Sequence, residues 1–227
     1  MLDPLHGKNI GLGVTGSIAC YKAVSLASEL VNAGANVDVM MTEDATRFVN
    51  PLTFNSITHR PVLHDLFDPQ SEISMDHVAV AHRIDVAIIA PTTANTLAKL
   101  AAGFSSDVLT TTLLATKAPV LIAPAMDANM YEHPATQRNV EQLKSMGYSI
   151  VGPNSGRLAS GLAGLGRLVE TWELTEHIRI ALGQNGDMAN RKIVVSAGGT
   201  KEPIDPVRVI SNRSTGKMGY AVAKAVR

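Results

Sequence analysis

Short apolar runs alternate with longer segments of helical periodicity along the first 182 residues. Runs with the length of strands lie at residues 9–14, 36–42, 84–91, 119–126 and 148–153. Segments at 19–34, 94–103, 107–116, 135–147 and 171–182 repeat apolar side chains at helical spacing, and Gly34 closes the first of them. This alternation predicts an α/β fold: a doubly wound, Rossmann-like parallel sheet with helices on both faces.

The pattern changes in the last third of the chain. Residues 153–170 are rich in Gly and Ser and predict a long loop, which is typical of a lid over a site. Residues 183–190 have the composition of a linker, 192–200 begin a new strand and glycine turn, and 219–227 start a helix. We therefore expect one domain over 1–182, a linker over 183–190, and the incomplete beginning of a second domain over 191–227.

Gly11, Gly13 and Gly16 form a G-x-G-x-x-G pattern, but their placement differs from a dinucleotide site. Gly11 and Gly13 fall within the predicted strand, and the turn is formed by residues 15–17. One glycine with hydroxyls at a helix N-terminus suits a single phosphate group, because free N–H groups and the helix dipole favour an anion. The spacing alone leaves two interpretations equally open: a mononucleotide phosphate turn, or a tight turn without a ligand.

Composition limits which binding partners and which cellular compartment we expect. Lys+Arg and Asp+Glu both number 20, so no charge excess indicates nucleic acid or an anionic membrane, and no apolar run has the length of a membrane span. The N-terminus has no secretory signal pattern, and Cys20 is the single cysteine. We therefore expect a cytoplasmic protein without disulfides, cysteine-based zinc sites or another metal centre.

Three segments, "GSIACYKA", "APTTANTLAKLAAG" and "APAMDANMYEHPATQRN", resemble the flavin-containing cysteine decarboxylases, and the likeness spans roughly residues 8–180. After the linker, "VVSAGGTKEPIDPVRVISNRSTGKMGYAVA" resembles the start of the phosphopantothenate–cysteine ligases. The two enzymes are fused in this order in many bacteria and archaea. The resemblance implies a homotrimer or a dodecamer of trimers, and the "PAMDANMYEHP" segment argues against a flavin prenyltransferase.

The resemblance also implies a reaction and a cofactor. FMN oxidises the cysteine moiety of 4′-phosphopantothenoylcysteine at Cβ, CO₂ leaves, and the enethiol is reduced to 4′-phosphopantetheine in coenzyme A biosynthesis. The alternative is a flavin-binding regulatory or scaffold subunit without efficient catalysis.

By the same resemblance, His77 is the catalytic histidine, and Asp127 and Met130 bind substrate. The residues expected around FMN are Gly16, Ser17, Thr42, Phe48, Pro91, Thr92, Thr93, Ala94, Asn95 and Ala125. Without the resemblance, His77 is a polar histidine near the surface, and "APTTAN" is a strand end followed by a helix cap.

Two positions depart from the family pattern. Asp127 stands where the family commonly has an asparagine that holds the substrate carboxylate, so Asp127 either faces a like charge, is protonated and donates as an amide does, or serves as a helix N-cap. Ser160 stands where a lid cysteine commonly donates a proton. A hydroxyl is a weaker acid than a thiol, so we expect Ser160 to relay a proton.

In the ligase-like segment, Asn212 matches an asparagine tied to the acyl-cytidylate intermediate. CTP and Mg²⁺ belong only to a complete ligase domain, so we expect no ligase activity from these 227 residues.

Overall fold

The computed structural model describes residues 3–66, 76–184 and 191–225. The chain divides into two compact units, Met1–Leu182 and Gly183–Arg227.

The first unit is built on a five-stranded parallel sheet. Its strands are β1 (Asn9–Val14), β2 (Asn36–Met41), β3 (Val86–Thr92), β4 (Val120–Pro124) and β5 (Ser149–Ile150), in the order β2-β1-β3-β4-β5. Ile10 of β1 lies opposite Val37 on one side and Val86 on the other. Apart from Asn9 and Thr92 at their ends, the central strands β1, β3 and β4 are apolar because both faces of a parallel sheet are covered.

Nine helices are described in this unit. They are α1 (Cys20–Asn32), α2 (Glu43–Thr46), α3 (Pro51–Thr58), α4 (Asp76–Arg83), α5 (Ala94–Ala102), α6 (Val108–Ala115), α7 (Ala128–Glu132), α8 (Pro134–Ser145) and α9 (Thr171–Gly183). None of the helices within the described ranges combines the length and the apolar character that crossing a membrane requires.

Each face of the sheet carries its own apolar core. Successive side chains of a strand point to opposite faces. Accordingly, Ile88 belongs to the core that contains Leu26 of α1 and Ile178 of α9, whereas its neighbour Ile89 belongs to the core that contains Leu97 of α5 and Leu143 of α8. The predicted doubly wound sheet with helices on both faces is confirmed.

The predicted loop over residues 153–170 is wrong, because the structure forms an antiparallel hairpin there. Its strands are β6 (Asn154–Arg157) and β7 (Ala163–Arg167). Glycine has a low strand propensity, which favoured the loop interpretation. Close packing of the glycines against a neighbouring helix, described below, outweighs that preference.

The second unit contains a hairpin of β8 (Lys201–Pro203) and β9 (Val209–Ser211), followed by α10 (Lys217–Ala225). The strand predicted over 192–200 is wrong: residues 191–200 form no strand, and Val194 is 89% exposed. An apolar run becomes a strand only where a partner strand satisfies its backbone, and none of the described residues supplies one. Residues 185–190 of the predicted linker and 226–227 of the predicted last helix lie outside the described residues.

Candidate active site

The carboxyl ends of β1 and β3 meet at the point where the strand order reverses, and ligands of such sheets bind there. The buried Thr15 hydroxyl links these two strand ends. It donates a hydrogen bond to the Pro91 carbonyl oxygen (2.7 Å) and accepts one from the Thr93 backbone N–H (3.0 Å). The turn after β1 is therefore fixed against the start of α5, where the Thr93 side chain accepts from the Thr96 N–H as the N-cap.

The turn that follows Thr15 has the properties of an anion site. A Cβ atom on Gly16 would lie 2.4 Å from the Asp44 Cβ, so only glycine allows this approach. Within the described part of the chain, the backbone N–H groups of Gly16, Ser17 and Ile18 make no hydrogen bond. The 13-residue helix α1 begins just beyond them. Free N–H groups at a helix N-terminus fit one phosphoryl group.

Apart from Phe48, the other residues expected around FMN follow the carboxyl ends of the strands. The Thr42 N–H, after β2, donates to the Val14 carbonyl oxygen (3.1 Å), and the Ala125 N–H, after β4, donates to Thr92 (3.0 Å). Phe48 is half-exposed at 52%. The remaining members, Pro91, Thr92, Thr93, Ala94 and Asn95, end β3 and open α5. The residues expected around FMN thus follow the carboxyl ends of four adjacent strands, β2, β1, β3 and β4.

A cleft of about 460 Å³ opens beside the phosphate turn. Its walls are residues 17–19, 21 and 22 at the start of α1, residues 125–127 after β4, and residues 157–160 and 166–168 of the hairpin. The cleft therefore joins the expected flavin edge to the segment expected to act as a lid.

Asp127 and Ser160 meet in this cleft. The Ser160 hydroxyl donates to Asp127 Oδ2 at 2.8 Å, and Asp127 Oδ1 accepts from the Asn129 backbone N–H at 3.0 Å as the N-cap of α7. Asp127 therefore caps α7, and the same carboxylate also holds the hairpin tip. Its role in binding the substrate stays a prediction. The two positions that depart from the family pattern are direct partners.

Two glycines bring the hairpin close enough for that contact. A Cβ on Gly166 would lie 2.1 Å from the Met126 carbonyl oxygen, and one on Gly164 would lie 2.6 Å from the Ala128 Cβ. The Met126 N–H donates to the Gly166 carbonyl oxygen at 3.0 Å. Glycine at alternate positions of β7 thus lays the strand directly against the start of α7.

Cationic side chains also line the cleft. The buried Lys22 Nζ donates to the Leu168 carbonyl oxygen (3.3 Å) and to Glu170 Oε1 (3.0 Å), and the Arg167 guanidinium donates to the same Glu170 oxygen (2.7 Å). The hydrogen bond from Lys22 is the main cause that lowers the pKa of Glu170. Arg157 also lines the cleft and has no ion pair within the described residues.

The family model described as Flavoprotein matches residues 2–182, which is most of the chain. This chain belongs to the flavoprotein family. A second model, the DNA/pantothenate metabolism flavoprotein C-terminal domain, matches residues 188–227.

The chain is also similar to individual proteins of known sequence or structure. The chain is 48% identical over 223 residues to the coenzyme A biosynthesis bifunctional protein CoaBC of Bacillus subtilis, covering 97% of this chain and 55% of that protein. It therefore spans about half the length of the curated relatives it matches. Among solved structures, the FMN-dependent cysteine decarboxylase SpaF is 34% identical with a TM-score of 0.68, covering 79% of this chain and 98% of SpaF. A cysteine-to-serine mutant of a PPC decarboxylase, complexed with pantothenoylaminoethenethiol, is 28% identical with a TM-score of 0.70, covering 77% and 98%.

Of the site residues expected in the first unit, Ser17, Ala125, Asp127 and Ser160 line the cleft. Apart from Phe48, the other residues expected around FMN lie at the adjoining strand ends, and His77 and Met130 lie on helices. His77 is half-buried in the first turn of α4, and Met130 is 50% exposed on α7. Neither is among the residues that line the cleft. Their roles stay predictions.

Cys20 is excluded from the proton chemistry of the cleft. It is fully buried at the start of α1, and its thiol donates to the Thr15 carbonyl oxygen at 3.0 Å. Burial raises the pKa of this thiol. Buried structural cysteines of this kind are unreactive.

In the second unit, Asn212 lies beside the glycine turn of "AGGT". A Cβ on Gly199 would lie 3.2 Å from Asn212 Oδ1, and the same oxygen accepts from the Ser214 N–H at 3.1 Å. The role of Asn212 in a ligase stays a prediction.

The cationic residues of the cleft were not predicted from the sequence. Lys22 lies within the predicted helix over residues 19–34, where nothing distinguishes it from the other polar positions. Arg157 and Arg167 lie in the segment that was interpreted as a loop. The signal that was available is the alternation of glycine with larger residues in "AGLGR", since alternation at period two is typical of a strand.

Proposed function

We propose that this flavoprotein catalyses the FMN-dependent decarboxylation of 4′-phosphopantothenoylcysteine to 4′-phosphopantetheine in coenzyme A biosynthesis. One observation carries the proposal: a turn with free N–H groups at the reversal of strand order adjoins a cleft in which Ser160 donates a hydrogen bond to Asp127. The names of SpaF, of the PPC decarboxylase and of the Bacillus relative support the same chemistry.

The turn at residues 16–18 would hold the phosphate of FMN, and Thr92, Thr93 and Ala125 would border its ring and ribityl chain. When bound, the flavin supplies the two-electron oxidation of the cysteine moiety and the later return of those electrons. Thr15 acts as a positioning residue, because its hydroxyl fixes the turn relative to Thr93.

Ser160 and Asp127 would manage the proton of the final reduction. A serine hydroxyl is too weak an acid to give up its proton without replacement. We therefore assign Ser160 a relay: its hydroxyl gives a proton to the product carbon and takes one from water at the exposed hairpin tip. Asp127 holds the hydroxyl in place while its own second oxygen caps α7.

The remaining assignments are part of the same proposal. His77 acts in the reaction from α4, and Met130 contacts substrate. The protein is a cytoplasmic homotrimer or a dodecamer of trimers that binds no nucleic acid. Asn212 serves the ligase only when that domain is complete.

The test uses the purified chain with FMN and synthetic 4′-phosphopantothenoylcysteine. We expect a yellow protein that releases CO₂ and forms 4′-phosphopantetheine. Ser160→Ala should release CO₂ and accumulate the enethiol, whereas Ser160→Cys should form the reduced product. Ser145→Ala, which changes an exposed serine on α8, is the matched control. Protein that takes up no FMN, or that releases no CO₂ with FMN bound, contradicts the proposal.

The regulatory or scaffold function is the second candidate, and the observation that favours it is the pair of Asp127 and Ser160 in place of the family's asparagine and cysteine. The double variant Asp127→Asn with Ser160→Cys separates the two candidates. A large gain in CO₂ release from a value near zero supports the regulatory function. An active parent whose rate changes little supports the enzyme.

A further inference from the structure

A buried carboxylate on the outer strand β2 holds two arginines. It belongs to Asp38, whose side chain is only 4% exposed. Its Oδ1 atom accepts hydrogen bonds from Arg60 Nε at 2.8 Å and from Arg83 Nη2 at 2.7 Å. Its Oδ2 atom accepts from Arg83 Nε at 2.9 Å. Arg83 therefore binds both carboxylate oxygens, in the bidentate geometry that fixes orientation as well as distance.

This carboxylate stands in an otherwise apolar contact between β2 and α4. Met40 lies two residues further along β2, on the same face of the sheet as Asp38. It belongs to one apolar core with Val80 of α4 and with Ile84, directly after α4. A buried ion pair adds little stability that apolar packing could not supply, but it selects one arrangement of the elements that it joins. The pair of Asp38 with Arg83, the last residue of α4, thus fixes how this helix sits on the strand.

The helix α4 ends at the amino edge of the sheet, opposite the edge where ligands bind. The Asp85 N–H, shortly after α4, donates to the carbonyl oxygen of Asn9 at the start of β1 (2.8 Å). The Thr116 hydroxyl, directly after α6, donates to the Ala81 carbonyl oxygen in the last turn of α4 (2.8 Å). The two helices therefore end side by side, each just before the strand that follows it. Like other helices that connect parallel strands, α4 returns antiparallel to the sheet.

The opposite end of α4 carries His77, in the first turn of the helix. Six residues of helix separate His77 from Arg83, which is a rise of about 9 Å. The three residues from Asp38 to Met41, the last residue of β2, cover a similar distance of about 10 Å. Because the helix and the strand run in opposite directions, His77 lies toward the ligand edge while Arg83 holds the other end of the helix.

We propose that Asp38 is a positioning residue that acts through Arg83 and α4 to place His77 for the reaction. This inference rests on the proposed function, which assigns His77 to the reaction. Arg60 binds the same carboxylate but follows α3, so it neutralises charge without holding α4. The two arginines therefore have different roles although they share one partner.

The arginines provide a matched pair of variants. We expect Arg83→Gln to lower kcat for CO₂ release at least about tenfold, because a displacement of about 1 Å at a reacting group has effects of that order. KM and the dissociation constant of FMN should stay within about threefold of the parent, and Arg60→Gln should leave kcat within about twofold. Asp38→Asn keeps the shape of the side chain without its charge and should behave like Arg83→Gln. Asp3→Asn is the control, because it breaks a bidentate pair of the same kind with Arg179 of α9.

A second measurement reports the position of His77 without FMN or substrate. Diethylpyrocarbonate labels accessible histidines, and mass spectrometry gives the labelling rate of His77 relative to His177, which is exposed on α9. This ratio should change at least about threefold in Arg83→Gln, because the first turn of α4 shifts, and should stay within about twofold in Arg60→Gln. Should Asp38→Asn fail to fold, Arg83→Gln still tests the same pair from its partly exposed side.

Three outcomes overturn the inference. Equal losses of kcat in Arg83→Gln and Arg60→Gln would show that the carboxylate acts through overall stability. A loss confined to KM or to FMN affinity would assign Asp38 to ligand binding. Unchanged kcat together with unchanged labelling of His77 in Arg83→Gln would show that α4 is placed without the ion pair. Failure of the proposed function looks different: the parent then releases no CO₂, and the labelling of His77 still shows whether Arg83 sets its position.

Discussion

Gly166→Ala tests whether close packing of the hairpin builds the cleft. The new Cβ would lie 2.1 Å from the Met126 carbonyl oxygen, and this neighbour is backbone that cannot rotate away. Reaching even a 3.0 Å contact requires a displacement of about 0.9 Å, which is large for a close-packed interior. The same displacement, directed along the bond, stretches the 3.0 Å hydrogen bond from Met126 N–H to Gly166 beyond hydrogen-bond distance.

The expected cost in the free energy of unfolding is about 1–3 kcal/mol, the penalty for leaving a buried donor and acceptor unpaired. For a unit of this size, each kcal/mol lowers Tm by about 2–4 °C. The displaced strand also carries the cleft residues of the hairpin, and a misplacement of about 1 Å can cost on the order of 10²-fold in rate.

Thermal unfolding and kcat/KM for CO₂ release measure the two effects. FMN affinity should change little, since the atoms nearest to the new Cβ belong to Met126 and Asp127 and not to residues 16–18. Gly156→Ala is the matched control, because its new Cβ would meet only the flexible Arg167 side chain at 3.2 Å. A Gly166→Ala protein with unchanged Tm and unchanged kcat/KM would refute the packing argument.

Three further predictions concern the first unit. Thr15→Val leaves the Thr93 N–H without its partner, so we expect the free energy of unfolding, measured in urea, to fall by about 1–3 kcal/mol. FMN should also bind more weakly in a fluorescence titration, and unchanged values of both would contradict the positioning role. Because burial raises its pKa, the Cys20 thiol should resist a thiol reagent at pH 8 until urea unfolds the protein, and rapid labelling of the native protein would refute this. Asp107 is partly desolvated, which raises its pKa, but the hydrogen bond from Lys99 contributes to a net lowering. Asp107→Asn should therefore lower the free energy of unfolding by about 1 kcal/mol at pH 7. This difference between variant and parent should shrink as pH falls below about 3.8, because the Asp107 carboxylate of the parent then becomes protonated. A difference in unfolding free energy that does not depend on pH would exclude the ion pair.

The order of strands and helices follows from periodicity alone. The strand at residues 9–14 and the helix at residues 94–102 are examples. Apolar spacing and capping residues act locally, so both elements, including the N-cap Thr93 and the αL C-cap Gly103 of the helix, can be predicted without tertiary contacts. The edge of the sheet where FMN is expected is also predictable, because parallel strands direct their carboxyl ends to one side.

Packing decided what periodicity could not. Gly164 and Gly166 reduce strand propensity locally, and only the close approach of Met126 and Ala128 makes their lack of a side chain an advantage. The Asp127–Ser160 hydrogen bond joins residues 33 positions apart, and a contact at that separation depends on how the hairpin folds back. The sequence by itself thus determined the sheet and the position of its ligand edge, whereas the tertiary structure alone decided which side chains meet there, since local propensity acts over one turn of chain and side-chain contacts form wherever packing brings segments together.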